Sequence, residues 1–203
     1  MRLARELGFV VILDAKRGDI GISATHYAAA AKSAGAHFVT VNGYLGPSGI
    51  EPFLNESLGV FVLVRTSNPD SAAFQSSRTQ SGGTIAELMA TSVRDLGKSR
   101  LGTAGLSDVG AVVGATQSSE AASLRRLMPE QIFLIPGFGA QGGTAEDVRA
   151  MGRSGKMFDE AGVLVTASRT VIYPKSGGST WHESIRLAAR EFAGQVLQAV
   201  GNG

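Results

Sequence analysis

Asp14, Lys16 and Asp19 stand together at the end of the apolar run Phe9-Val10-Val11-Ile12-Leu13. Side chains two apart on a strand share a face, so Asp14 and Lys16 project the same way, about 7 Å apart along the chain. A carboxylate and an ammonium held together are the ingredients of acid-base chemistry, and the carboxyl end of a parallel strand is where α/β folds place it. The same spacing also suits a structural ion pair capping a strand. Other candidates follow later strands. Thr66-Ser67-Asn68-Pro69 offers hydroxyls and an amide to the edge of a flat heterocycle, and serves equally well to turn the chain before a proline. Asn42, after Val39-Thr40-Val41, carries the same ambiguity. Gly137-Phe138-Gly139-Ala140-Gln141-Gly142-Gly143 follows a strand and precedes a helix opened by Thr144, a way of presenting backbone N–H groups to a phosphate. It fits the letters of a dinucleotide loop, but the next strand ends in Ser168-Arg169 rather than in the acid that would hold a ribose. An arginine there can meet a phosphate through two parallel hydrogen bonds.

The elements that position these groups repeat along the chain. Apolar, β-rich runs at Phe9 to Leu13, His37 to Val41, Val60 to Val64, Gly110 to Ala115, Ile132 to Ile135 and Gly162 to Thr166 each lead into a loop. The first, an unbroken apolar run, predicts a strand buried on both faces. Helices are predicted over Ser23 to Ser33, Thr84 to Leu96, Ser119 to Met128, Thr144 to Met151 and Ser179 to Val200, several opened by Ser or Thr as a cap. Strict βα alternation predicts a parallel sheet, either an open doubly wound sheet or a barrel. The stretches Gln75 to Gly83 and Lys98 to Asp108 read as mobile loops. At 203 residues, residues 1–203 read as a single domain. With 19 basic and 17 acidic residues there is no strong field to draw nucleic acid, and no apolar run approaches a membrane span. The absence of cysteine excludes disulfides, thiolate metal sites and a cysteine nucleophile. His26, His37 and His182 lack metal-ligand spacing and read as helix-surface or core residues. A cytoplasmic location and no metal or cofactor are the expectations.

The segment Asp14-Ala15-Lys16-Arg17-Gly18-Asp19-Ile20-Gly21 resembles the D-x-K-x-x-D signature of the orotidine 5′-phosphate decarboxylases, in the form of their bacterial, mycobacterial-type branch. Agreement continues through Thr40 to Gly46, Thr66 to Pro69, Gly110 to Thr116, Ile135 to Gly143 and Ser168-Arg169, in order over nearly the whole chain. The resemblance implies a (β/α)8 TIM barrel, α/β in class, of which this chain supplies about six βα units, strands 3 to 8. It implies decarboxylation of orotidine 5′-monophosphate to uridine 5′-monophosphate in pyrimidine synthesis, without cofactor or metal, by a homodimer with shared active sites. Lys16 would protonate the pyrimidine carbanion, Asp14 would lie against the departing carboxylate, and Asp19 would reach the neighbouring subunit's site. Asn42 and Ser23 would join the substrate-binding set, Ser23 standing where the family usually has threonine. Thr66 and Ser67 would face the pyrimidine. Gln141 and Arg169 would hold the phosphate, with Gly137, Gly139 and Gly142 forming its loop.

The chain opens on the tail of an amphipathic helix, Leu3 and Leu7 one turn apart, with no strand before it, and a barrel of eight units takes about 250 residues. The expectation is a chain lacking its first two βα units, and with them a ribose-contacting aspartate and a second lysine of the family's charge network. Such an open remnant is expected to be marginally stable or prone to aggregate. Two other readings follow: a truncated or degenerate relative that only binds uridine phosphates, and a reductase using the Gly137 to Gly142 loop for a 2′-phosphorylated dinucleotide.

Overall fold

A computed structural model describes residues 1–115, 118–139, 142–156, 160–174 and 180–201. Its six strands are β1 (Ile12–Arg17), β2 (Phe38–Val41), β3 (Gly59–Arg65), β4 (Ser107–Val113), β5 (Gln131–Pro136) and β6 (Val163–Thr166). Neighbours in sequence are neighbours in the sheet, and each pair is parallel. A doubly wound sheet reverses its strand order at a switch point. This sheet never reverses, so each crossover steps the same way and the sheet curls as a half-barrel.

Helices α2 (Gly21–Ser33), α5 (Ile85–Gly97), α6 (Ser118–Leu127), α7 (Ala145–Met151) and α9 (Trp181–Gly201) match the predicted set within about two residues at each end. Thr84 and Thr144 close capping boxes with Glu87 and Asp147, each tying two backbone N–H groups that α5 and α7 would otherwise leave open. The helix expected at the start of the chain is α1 (Arg2–Glu6), and short helices that the sequence pattern did not predict are α3 (Glu51–Asn55), α4 (Ser71–Gln75) and α8 (Arg169–Ile172). They are only one turn long, too short to show a 3.6-residue period.

Side chains from the two faces of the sheet enter different cores. Val39, Val41, Val60, Val62 and Val64 face the helices and pack with Ala28, Ala90, Val93, Leu124 and Met128 in the main core. Phe61, Val112 and Leu134 form a second cluster with Ile12, Phe38, Leu63 and Ile132. Phe38 and Phe61 stack at 5.2 Å between ring centroids. Gly110 makes this possible: a Cβ there would lie 2.6 Å from the Ile132 carbonyl and 2.7 Å from the Phe61 ring. Each fully buried side chain of this size contributes about 1.5–3 kcal/mol, and the inner cluster floors the site above it.

The first strand differs from expectation. It starts at Ile12, not Phe9, and runs through the charged residues to Arg17. Phe9 and Val10 are 63% and 66% exposed. Among the described residues β1 pairs only with β2, as an edge strand, and none of its residues is fully buried, so the expected strand buried on both faces is not found. Its ladder is closed off at Val11, whose N–H donates to His37 Nδ1 at 2.9 Å, which gives one of the three histidines a strand-capping role. The Lys98 to Asp108 stretch is tied rather than loose. Arg100 meets both Asp108 oxygens at 2.8 and 2.7 Å, and Leu101 bridges Ser107. Among the described residues no helix is long and apolar enough to cross a membrane.

Candidate active site

The end of β1 is shaped by strain and by one buried hydroxyl. Lys16 has φ 46°, in the left-handed region that non-glycine residues avoid, and the β1–β2 register shifts between Leu13 and Arg17. Such a conformation costs about 1–3 kcal/mol and persists only where its surroundings impose it. Here Thr40 imposes it: its Oγ1, fully buried on β2, accepts from the Lys16 N–H at 2.9 Å and donates to Asp14 Oδ1 at 2.9 Å. Backbone and carboxylate are thus fixed by one atom of the next strand. The Lys16 ammonium then lies 2.7 Å from both Asp14 oxygens, with both side chains still more than half exposed.

Burial raises the Asp14 carboxyl, but hydrogen bonds from Lys16 and Thr40, and the Lys16 charge, outweigh it and hold the group below its ordinary 3.8. Asp14 is therefore ionised through neutral and mildly acid pH. The folded pKa is the depressed one, so the stability this contact contributes is present above pH 3.8 and is lost as pH falls below it. An NMR titration of the Asp14 carboxylate is expected to give a midpoint below 3.8, moving upward in Lys16→Ala; an unmoved midpoint in that variant would contradict the pairing.

The pair borders a cleft of about 1260 Å³ over the carboxyl ends of the strands. Of the residues singled out in the sequence, Asp14, Lys16, Asn42, Thr66 and Ser67 meet there. Thr166, Pro136 and Ser168 close the far wall, and Tyr44 and Phe74, with ring centroids 5.9 Å apart, stand on the near side. Asn42 turns the chain and also borders the cleft. Its Oδ1 accepts from Tyr44 N at 3.0 Å to cap a single 3-10 turn, and it lines the cleft. Asp19 and Ser23 do not line this cleft; Asp19 Oδ1 accepts from the N–H of Ile20 at 2.8 Å. Gly137, Gly139 and Gly142 have φ values of 94°, 68° and 88°, which only glycine adopts freely. The loop closes on itself, Gly139 N donating to Gly143 O and Gly143 N to Gly137 O, so these N–H groups are already used. Arg169 opens α8 one residue after the cleft wall, exposed and without an ion pair among the described residues. Gln141 lies outside the described residues.

Three contributors were not foreseen. For Thr40 the available signal is a polar residue inside the apolar Val39-Thr40-Val41. Arg65 closes an apolar strand and is 2% exposed, and Gln75 was read as the start of a loop. Among the described residues no three His, Asp or Glu side chains converge to hold a metal ion.

A singly wound parallel sheet with an acid–amine pair in a wide cleft at its strand ends defines a barrel-type α/β enzyme of the class that works at strand carboxyl termini. Residues 1–183 match the model of the orotidine 5′-phosphate decarboxylase / HUMPS family, and the chain belongs to that family. It is 39% identical to the orotidine 5′-phosphate decarboxylase of Rhodopirellula baltica, over 95% of this chain and 69% of the relative. It is 38% identical to that of Caldicellulosiruptor bescii, over 94% of this chain and 67% of the relative. A crystal structure from Streptomyces avermitilis, described as an orotidine 5′-phosphate decarboxylase, superposes with a TM-score of 0.79 at 32% identity, covering 97% of this chain and 67% of that one. The chain thus spans about two thirds of the length of these relatives.

Proposed function

We propose that the cleft decarboxylates orotidine 5′-monophosphate to uridine 5′-monophosphate, with Lys16 as proton donor. The observation that carries this reading is the Lys16 ammonium held by both Asp14 oxygens at 2.7 Å on the cleft wall. With the substrate carboxylate set beside Asp14, two like charges at 4 Å repel by about 4 kcal/mol at an effective dielectric of 20. Loss of carbon dioxide removes that repulsion, while the attraction between Lys16 and the developing carbanion grows. Only such a difference between ground and transition state lowers the barrier. The bond from pyrimidine carbon 6 to the carboxylate breaks, its electron pair stays on the carbon, and a Lys16 N–H supplies the proton. The neutral amine regains its proton from water.

In this reading Thr66 and Ser67 face the pyrimidine and Asn42 binds the substrate beside it, which is supported by all three lining the cleft. Arg169, exposed beside the cleft wall, takes the phosphate together with Gln141, and the loop carrying Gly137, Gly139 and Gly142 borders the phosphate without lending it the Gly139 and Gly142 N–H groups, which are spent within the loop. Asp19 points its role elsewhere: outside the lining of its own cleft, it serves the site of a second copy in a homodimer, and Ser23 lies near it in the first turn of α2. The test is the ultraviolet absorbance of orotidine 5′-monophosphate incubated with the purified protein. A steady decline with stoichiometric uridine 5′-monophosphate is expected. Tight binding of uridine 5′-monophosphate without any decline would favour the non-catalytic binding reading instead.

A further inference from the structure

The end of β3 holds a chain of hydrogen bonds whose direction is set by a buried cation. Arg65, 2% exposed, donates from Nε to Glu120 Oε2 at 2.7 Å, and from Nη1 to Ser71 Oγ at 2.6 Å and Gln75 Oε1 at 3.2 Å. Glu120 is itself held by Ser76 Oγ at 3.1 Å. The same Gln75 oxygen accepts the Thr66 N–H at 2.9 Å. A guanidinium and a backbone N–H only donate, so the atom they share must be the amide oxygen, and the orientation of Gln75 has no flipped alternative.

The rest of the chain follows from that. Gln75 Nε2 must face the Thr66 hydroxyl, 2.8 Å away, and can only donate to it. Thr66 Oγ1 lies 2.6 Å from Asn68 Oδ1, a length proper to O–H···O rather than N–H···O. The single hydroxyl proton of Thr66 is therefore spent on Asn68. Asn68, with its oxygen engaged, turns its amide nitrogen outward, and that nitrogen has no hydrogen-bond partner among the described residues of the cleft it lines.

We infer that Arg65 and Gln75 are positioning residues that fix Asn68 as a hydrogen-bond donor to a carbonyl oxygen of the bound base. The cleft thereby selects a keto pyrimidine over its 4-amino counterpart. This rests on the reading that a pyrimidine nucleotide occupies the cleft. A 4-amino group would meet the Asn68 N–H donors with donors of its own, leaving both sides unpaired once the bound base covers them from water.

Gln75→Glu tests the relay because it preserves shape and reverses polarity. One carboxylate oxygen still accepts from Arg65 and Thr66 N, but the other now takes the Thr66 hydroxyl proton. Thr66 must then accept from Asn68, whose amide turns its oxygen into the cleft. Asn68→Asp, at an exposed position, presents an acceptor directly and leaves Arg65 and Gln75 untouched. The readout is the ratio of calorimetric dissociation constants for uridine and cytidine 5′-monophosphates, with circular dichroism confirming the fold of each variant. The wild type is expected to favour the uridine nucleotide at least tenfold, and both variants to lose at least tenfold of that preference. A merely structural role would weaken both nucleotides together and leave the ratio alone. If Gln75→Glu does not fold, Asn68→Asp decides. An unchanged ratio in folded variants overturns the relay and leaves nucleotide binding intact. Failure of the wild type to bind either nucleotide overturns the reading of the cleft, and the relay with it.

Discussion

Lys16→Ala is expected to lose decarboxylation of orotidine 5′-monophosphate by at least about a thousandfold, while uridine 5′-monophosphate still binds. A positioned proton donor contributes about 10²–10⁴-fold by itself. In the proposed reaction, removing the ammonium that Asp14 holds also leaves no cation beside the developing carbanion, so the electrostatic contribution goes with the proton. The product lacks the carboxylate, and its affinity should change far less. The backbone supplies a control. Lys16 sits at φ 46°, and alanine inherits that strain whereas glycine does not. Lys16→Gly should therefore be at least as stable to heat as Lys16→Ala and equally inactive. If either variant kept a tenth of the wild-type rate, Lys16 would not be the proton donor, whatever holds it against Asp14.

Features that repeat at the period of a single element were legible along the chain. The β-rich runs located six strands, and Thr84 and Thr144 marked helix starts that prove to be full capping boxes. Asp14 and Lys16 were legible as a pair from their period-two spacing, but the left-handed turn at Lys16 that Thr40 holds was not. Residues whose roles depend on a neighbour distant in sequence were not. Thr40 acts on Asp14 from a different strand, 26 residues on, and Arg65 meets Glu120 55 residues away. Arg65 at the end of an apolar run looks like a charge escaping to solvent, but the short helix carrying Ser71 and Gln75 folds back over it. The exposure of Phe9 and Val10 was illegible too, because an apolar run does not state how many strands will flank it. Strand order, which separates a curled sheet from a doubly wound one, was likewise undecided by alternation and came only with the family resemblance.

The largest expected loss of stability lies at the opposite end of the sheet from the cleft, at Arg125. This residue is 8% exposed, and no carboxylate among the described residues pairs with it. Its guanidinium is instead solvated by backbone. Nε donates to Met151 O at 2.7 Å, Nη1 to Met128 O at 2.9 Å and Gln131 O at 2.8 Å, and Nη2 to Gly162 O at 3.1 Å. One face lies 3.6 Å over the Phe133 ring, a cation–π contact. Burial, and then the charge of Arg153, push the group down to about 9, which still leaves it protonated at neutral pH. The four carbonyls belong to the end of α7, the turn after α6, the start of β5 and the approach to β6, so one side chain ties four segments together; of these carbonyls that of Gly162 also accepts from Phe133 N at 2.8 Å. A hydrogen bond from a charged donor contributes about 1.5–3 kcal/mol, and orphaning a buried carbonyl costs a comparable amount. Partial relaxation and entry of water reduce the sum, and Arg125→Leu is expected to destabilise by about 4 kcal/mol, near the upper limit for single substitutions. Lysine keeps the charge but has one nitrogen where the fork has three, so Arg125→Lys should recover less than half of the loss. Denaturant unfolding of the three proteins measures this, with the slope checked for constancy. A loss below about 1 kcal/mol for Arg125→Leu would mean that the four carbonyls find other partners and that this end of the sheet does not depend on the arginine.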